Sequence, residues 1–257
     1  MKKKFKKIFI LLIVFFLTIL SGCELESGQV RLPDLEGLSR AQITRKLDRL
    51  RINYMFKVKP MVYHDESQFD KFIEYGSGLK AGDYIDRSYF LYVFTTALPL
   101  TVNRLHELTL PDYQGKEFVK DGIGLVQLTS TVDGDTAYFK SGSNTIKVRF
   151  LGIDTPEIYS GVEPWGKAAS NHTSKRLREA KQIVLEAEGV RIDTYDRYLA
   201  FVWVDGVLLN LELVQQAYTG VSLSSRSKYF EIFTDVENEV MKTGRRYWGE
   251  LDPDYRY

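Results

Sequence analysis

Two stretches of this sequence bring together side chains able to do chemistry. The first is Val132-Asp133-Gly134-Asp135-Thr136, followed by Val148-Arg149-Phe150-Leu151-Gly152-Ile153-Asp154-Thr155-Pro156-Glu157. Asp133-Gly134 is a strong hairpin-turn signal, so the start of one strand lies beside the end of the next and Asp135 can meet Asp154. Two carboxylates held close repel unless one is protonated or a cation bridges them. Their oxygens, with a backbone carbonyl such as that of Thr155, form a hard-oxygen site suited to Ca²⁺ or Mg²⁺. No Cys/His cluster offers zinc a site, because His64, His106 and His172 are scattered and each reads as a surface or already satisfied histidine. Glu157 follows a proline that stiffens the turn, where it can position or deprotonate a water. Arg149 leads into the same turn, and its planar fork could grip a phosphate and stabilise charge in a five-coordinate transition state. A metal, a carboxylate and an arginine together suit phosphodiester hydrolysis.

The second stretch is Asp193-Thr194-Tyr195-Asp196-Arg197-Tyr198-Leu199-Ala200, which offers another arginine just before a strand. Each arginine taken singly could equally be half of a surface ion pair. Asp-Gly-Asp-Thr alone is only a turn, so order and spacing must carry the argument.

The elements expected to position these residues are strands from Gly122 onward. Leu125 to Val132 and Thr136 to Lys140 predict a hairpin, Ser141 to Asn144 a second turn, and Ile146, Val148 and Phe150 alternate with Lys147 and Arg149, so that Arg149 points away from the apolar face. Glu163 to Ala180 predicts a helix with Pro164 near its first turn. Ile183, Leu185 and Ala187 alternate again, and Leu199 to Val204 is a near-continuous apolar strand. Two closing helices follow, carrying Leu211, Val214 and Tyr218 on one and Phe230, Phe233, Val236 and Val240 on the other, with Gly244 as a C-terminal stop. Five short strands, a helix after the third and helices at the end predict a small closed barrel. The fold class is therefore mainly β plus α, with this barrel preceded by a small α+β domain. That domain spans 31–97, with Ser39 and Gln42 as a capping box, Ile43, Leu47 and Leu50 on one helical face, and strands at Ile52 to Val58 and Tyr89 to Thr95. Residues 98–120 read as a linker, 121–251 as the barrel domain and 252–257 as a tail.

In this order and spacing, Asp-Gly-Asp-Thr, Arg-Phe-Leu-Gly-Ile-Asp-Thr-Pro-Glu and Asp-x-Tyr-x-Arg-x-Leu-Ala resemble the staphylococcal nuclease (thermonuclease) family. The resemblance runs from about Leu125 to Leu251. It includes Pro164-Trp165-Gly166-Lys167-Ala168-Ala169 and the closing Gly244-Arg245-Arg246-Tyr247-Trp248. It implies an OB-type five-stranded barrel with three helices acting on DNA or RNA, often leaving 3′-phosphates. Asp135 and Asp154 become calcium ligands through carboxylate, and Thr155 through its carbonyl. Glu157 becomes the general base or water-positioning group, Arg149 and Arg197 hold the scissile phosphate, and Tyr195 contacts substrate. Two positions depart from the best-known member, Thr194 standing for a lysine and Leu223 for a tyrosine that packs on the nucleotide. Loss of a stacking ring is worth about 1–3 kcal/mol per base. Tyr218 or Tyr229 is a candidate substitute.

The chain begins with five lysines in MKKKFKK and an apolar run from Ile8, the form of a bacterial export signal over residues 1–22. It ends in Leu20-Ser21-Gly22-Cys23, which resembles a lipobox, and this implies a lipid on Cys23, a tether over 23–30 and a working domain on the outer face of the cytoplasmic membrane. Removing that segment leaves 30 basic against 34 acidic residues, a net of −4. No global basic surface advertises nucleic-acid binding, so phosphate recognition must be local. Cys23 is the only cysteine, which excludes an intrachain disulfide. Pro33-Asp34-Leu35-Glu36-Gly37 and Gly78-Leu79-Lys80-Ala81-Gly82 resemble a PASTA domain, which implies either a wall-binding role with cell-wall polymer as a partner or a spacer role with no ligand. The competing functional reading is a non-catalytic surface module that holds nucleic acid or wall polymer. The complete carboxylate and arginine set argues against it.

Overall fold

The computed structural model describes residues 28–59, 66–99, 103–159 and 161–251. The expected signal, Cys23, His64 and the tail lie outside the described residues. Among the described residues, no helix is long and apolar enough to cross a membrane.

The N-terminal part opens with β1 (Gln29–Arg31), followed by α1 (Arg40–Leu50), β2 (Asn53–Val58), β3 (Phe72–Tyr75), β4 (Tyr84–Asp86) and β5 (Phe90–Thr95). The capping box forms as the sequence predicts. The Ser39 hydroxyl accepts from the Gln42 amide while the Gln42 side chain accepts from the Ser39 amide, satisfying two otherwise orphaned donors. β1 pairs with β4, and β2, β5 and β3 form a second sheet with β5 in the middle. Ile43 and Leu47 of α1 bury against Leu91 and Val93 of β5, covering one face of that sheet.

The C-terminal part contains α2 (Phe118–Asp121), β6 (Ile123–Thr131), β7 (Thr136–Ser141), β8 (Asn144–Phe150), β9 (Ile153–Asp154), α3 (Gly166–Glu179), β10 (Ile183–Glu186), β11 (Tyr198–Val204), β12 (Val207–Leu208), α4 (Leu209–Gln215), β13 (Gly220–Val221) and α5 (Phe230–Met241). The sheet runs β10-β6-β7-β8-β11, and β10 also pairs with β11. That last pairing closes a five-stranded barrel and leaves no open edge among the five. Phe139, Val148, Phe150, Phe201 and Trp203 fill it, and Leu209, Leu213, Phe233 and Val236 of α4 and α5 seal its side.

Three expectations need correction. The helix expected from Glu163 begins at Gly166, because Trp165 takes the left-handed conformation (φ 69°), which helical geometry excludes. The alternation expected through β10 is absent, since all four of its residues, Glu186 included, are buried. Residues 98–120 are more than a linker. Phe118 is buried in the barrel core, and Leu105, Leu108, Leu110 and Tyr113 pack against it. The chain at 116–118 crosses so closely over β6 that a Cβ on Gly124 would lie 2.6 Å from the Phe118 amide nitrogen. The two parts also touch: the Leu98 amide donates to the Thr243 carbonyl (2.9 Å), and the Arg245 guanidinium stands 4.8 Å from the Phe69 ring centre.

Candidate active site

The β6–β7 hairpin turn and the end of β8 converge as their pairing demands. Thr136 lies opposite Arg149 in the β7–β8 register, and the Phe150 amide donates to the Asp135 carbonyl (2.8 Å). Asp133 accepts from the Asp135 amide (3.0 Å), folding the turn back on itself. Helix α3 clamps it from behind, where the Thr173 hydroxyl donates to the Gly134 carbonyl (2.6 Å). Gly134 is required here for space, because a Cβ would lie 2.6 Å from the Thr155 hydroxyl oxygen.

Asp135 is only 3 % exposed and fully engaged. Its Oδ2 accepts from the Thr155 amide (2.6 Å) and the Thr155 hydroxyl (2.9 Å), and its Oδ1 accepts from the Thr136 hydroxyl (3.1 Å). Oδ1 also pairs with Arg149, whose second amino group pairs with Asp154. One guanidinium thus bridges both carboxylates, and its single positive charge offsets part of the repulsion between the two acids brought together across the hairpin. Burial pushes the neighbouring Asp133 carboxyl up, with Arg149 pulling it back. Asp154 turns outward, its side chain 75 % exposed. Its backbone is pinned by the buried Thr219, which accepts from the Asp154 amide (3.1 Å) and donates to its carbonyl (2.7 Å). β13 holds the same segment, pairing Gly220 with Asp154.

Glu157 is exposed beyond Pro156. Its amide donates to Glu163 Oε2 (2.9 Å), and its carbonyl accepts from the Glu163 amide (2.9 Å). The start of α3 presses on this turn, so a Cβ on Gly166 would meet the Glu157 carbonyl at 2.7 Å. Only glycine allows the helix to approach closely enough to fix the turn.

Arg197 is held by Asp193. The carboxylate accepts from the Tyr195 and Arg197 amides (2.9 Å each) and from Arg197 Nε (2.7 Å). Burial pushes the Asp193 carboxyl up, but these donors outweigh it and leave it below its ordinary value. The Arg197 guanidinium lies 5.4 Å from the centre of the Tyr195 ring, which is 78 % exposed. β11 runs parallel to β8 with Leu199 opposite Arg149, so Arg197 enters two residues before that pair. Both arginines therefore make ion pairs with carboxylates, as a purely structural account would also have it.

Leu223 stands against Gly152 beside the site and packs on the barrel core. Neither tyrosine replaces a stacking ring there. Tyr218 is buried beneath the Arg246 guanidinium (4.2 Å), and Tyr229 is buried with its hydroxyl on Glu186 (2.9 Å). His172 is satisfied as expected, hydrogen-bonded to the buried Glu212 (2.9 Å), and His106 is exposed. Sequence reasoning missed Thr219, Glu212 and Glu186; no local motif marks them, and each acts across more than fifteen residues.

The oxygens of Asp135 and Asp154 and the main-chain carbonyl of Thr155 are donors of the kind a hard cation takes, and in this arrangement Arg149 occupies both carboxylates. Among the described residues, no three of His, Cys, Asp and Glu converge as metal ligands, so water must complete any coordination shell.

The amino-acid sequence of this chain is similar to those of known proteins. The family described as "Staphylococcal nuclease homologue" matches residues 147–250. The thermonuclease of Staphylococcus intermedius is 31 % identical over 121 residues, covering 46 % of this chain and 71 % of that protein. In Bacillus subtilis, the SPbeta prophage-derived endonuclease YokF is 32 % identical over 130 residues, covering 49 % of this chain and 44 % of that protein. The endonuclease YncB of the same organism is 30 % identical over 130 residues, covering 49 % of this chain and 62 % of that protein. The chain belongs to the staphylococcal nuclease family.

Proposed function

We propose that this chain is a calcium-dependent nuclease that hydrolyses phosphodiester bonds of DNA and RNA and leaves 3′-phosphates. We further propose that it is exported and held by a lipid on Cys23 at the outer face of the bacterial cytoplasmic membrane, with residues 31–97 as one domain and the barrel, together with Phe118 and the segment before it that packs on the barrel core, as the other. The observation that supports the catalytic reading most strongly is the single guanidinium, Arg149, shared by Asp135 and Asp154 at the barrel mouth.

Asp135, Asp154 and the Thr155 carbonyl would hold the calcium, which would supply positive charge to offset that of the phosphate. Arg149 then turns its fork from the carboxylates to the phosphate. Glu157, exposed at the rim, takes the proton of the attacking water as the water oxygen bonds phosphorus. Arg197, anchored through Nε by Asp193, offsets charge on the five-coordinate phosphorus and on the departing 5′ oxygen. Breakage of the P–O5′ bond, with the 5′ oxygen taking a proton from solvent water and leaving as a hydroxyl, leaves phosphate on the 3′ side. Tyr195 offers its exposed ring to the nucleotide.

The test is a pair of variants. Glu157→Ala and Arg197→Ala each lose turnover by about 10²–10⁴-fold with an unchanged melting curve, the scale of a lost proton-transfer or charge-stabilising group. Near-normal activity in both would remove these residues from the site.

A further inference from the structure

Among the described residues, α1 covers the three-stranded sheet of the N-terminal part on one face, and the other face is exposed. On the other face, β5 shows Phe90, Tyr92 and Phe94, and the parallel register sets Asn53, Met55 and Lys57 of β2 directly beside them. Three of these are far more exposed than apolar side chains on a covered sheet: Met55 is 50 % exposed, Phe90 46 % and Tyr92 38 %. Cations are interleaved with the rings. Lys57 Nζ lies 4.6 Å from the Tyr92 ring centre, and Lys59 Nζ lies 5.3 Å from that of Phe94. Glu74, beside Phe94 on β3, is paired with Lys59 (2.5 Å). Phe90 and Tyr92 meet edge to face, their centroids 5.6 Å apart, so both rings are held in place before any ligand arrives.

We propose that this face is a platform for single-stranded nucleic acid, on which bases stack against Tyr92 and Phe90 while Lys57 meets the backbone phosphates. Flat rings spaced along one strand accept any base, and Lys57 beside them supplies positive charge for the phosphates, Lys59 being paired with Glu74. A polymer without charge would bring no anion to Lys57, which is why a nucleic acid fits this face better than a neutral glycan. The inference rests on the nuclease reading only for the kind of polymer. It gives the N-terminal part a task, holding a strand for the barrel site to cut.

The test is fluorescence anisotropy of a labelled oligothymidylate about 20 nucleotides long with the full chain in detergent and calcium chelated. Tyr92→Ala weakens binding about tenfold and Tyr92→Phe does not. Lys57→Glu, an exposed change that keeps the fold, weakens binding and lowers the salt slope by about one. Unchanged binding in Tyr92→Ala and Lys57→Glu overturns the proposal. Soluble wall fragments that bind and are lost in Tyr92→Ala, with oligothymidylate unaffected, overturn it too. Since binding is read without cleavage, a chain that binds through this face yet cuts nothing upholds the platform and sinks the nuclease reading. The reverse result sinks the platform alone.

Discussion

Replacing Asp135 by alanine sets two effects against each other, and the structure decides the sign. If Asp135 and Asp154 were bare, removing one would relieve their repulsion, roughly 3 kcal/mol at about 5 Å and an effective dielectric near 20. Metal-free protein would then gain stability. The structure shows the opposite arrangement, with Asp135 buried and paired to Arg149 while it accepts from the Thr155 amide, the Thr155 hydroxyl and the Thr136 hydroxyl. Asp135→Ala strands buried donors and leaves Arg149 with one partner, a loss of about 3–5 kcal/mol for breaking a buried pair. In a chain of this size that corresponds to a fall in Tm of roughly 6–20 °C. The assay is thermal or urea unfolding of wild type and variant in chelator. A variant as stable as wild type, or more so, would refute the claim that the pairing of Asp135 with Arg149 outweighs the repulsion between the two carboxylates.

Other consequences follow from the same geometry. Calcium raises the Tm of the wild type by mass action, and the rise shrinks in Asp154→Ala; a melting curve unmoved over a wide calcium range would count against the assigned ligands. Thr219→Val keeps the shape of a fully buried side chain but strands the Asp154 amide and carbonyl, costing about 1–3 kcal/mol in urea unfolding and weakening calcium binding; unaltered calcium affinity would separate Thr219 from the site. Burial pushes the Glu212 carboxyl up, but His172 and Arg176 outweigh it and hold it below its ordinary 4.5. A depressed carboxylate stabilises above the unfolded pKa and ceases to do so as pH falls through the folded one. The stability deficit of Glu212→Gln is therefore full at neutral pH and fades below about pH 4.5; a deficit that persists into acid would show that the ion pairs are not its source.

Much of the barrel is legible in the sequence because its strands obey simple periods. Ile146, Val148 and Phe150 alternate with Lys147 and Arg149, and all three apolar residues are buried. The Asp133-Gly134 turn and the Ser39–Gln42 capping box are local signals, and both form. Period fails at β10, where a strand between β6 and β11 has both faces covered. Glu186 is buried there because Trp203, Lys228 and Tyr229 all donate to it. The late start of α3 reflects the close approach of Gly166 to the 156–157 turn, a tertiary constraint that local propensity does not carry. Residues 98–120 lack a periodic pattern yet supply Phe118 to the core, since irregular chain can also bury a large ring. At the site, residue types and order pointed to Asp135, Asp154 and Arg149, and the hairpin brings these three into contact. What spacing could not reveal is that Arg149 occupies both carboxylates, or that Thr219, from beyond the barrel strands, sets the backbone of Asp154.

The most direct test of the account is digestion of single- and double-stranded DNA and of RNA by the purified protein, with added calcium and again with chelator. The account predicts cleavage that requires calcium and leaves 3′-phosphate ends. No cleavage of any of the three polymers by a demonstrably folded sample, or equal cleavage in chelator, would contradict it.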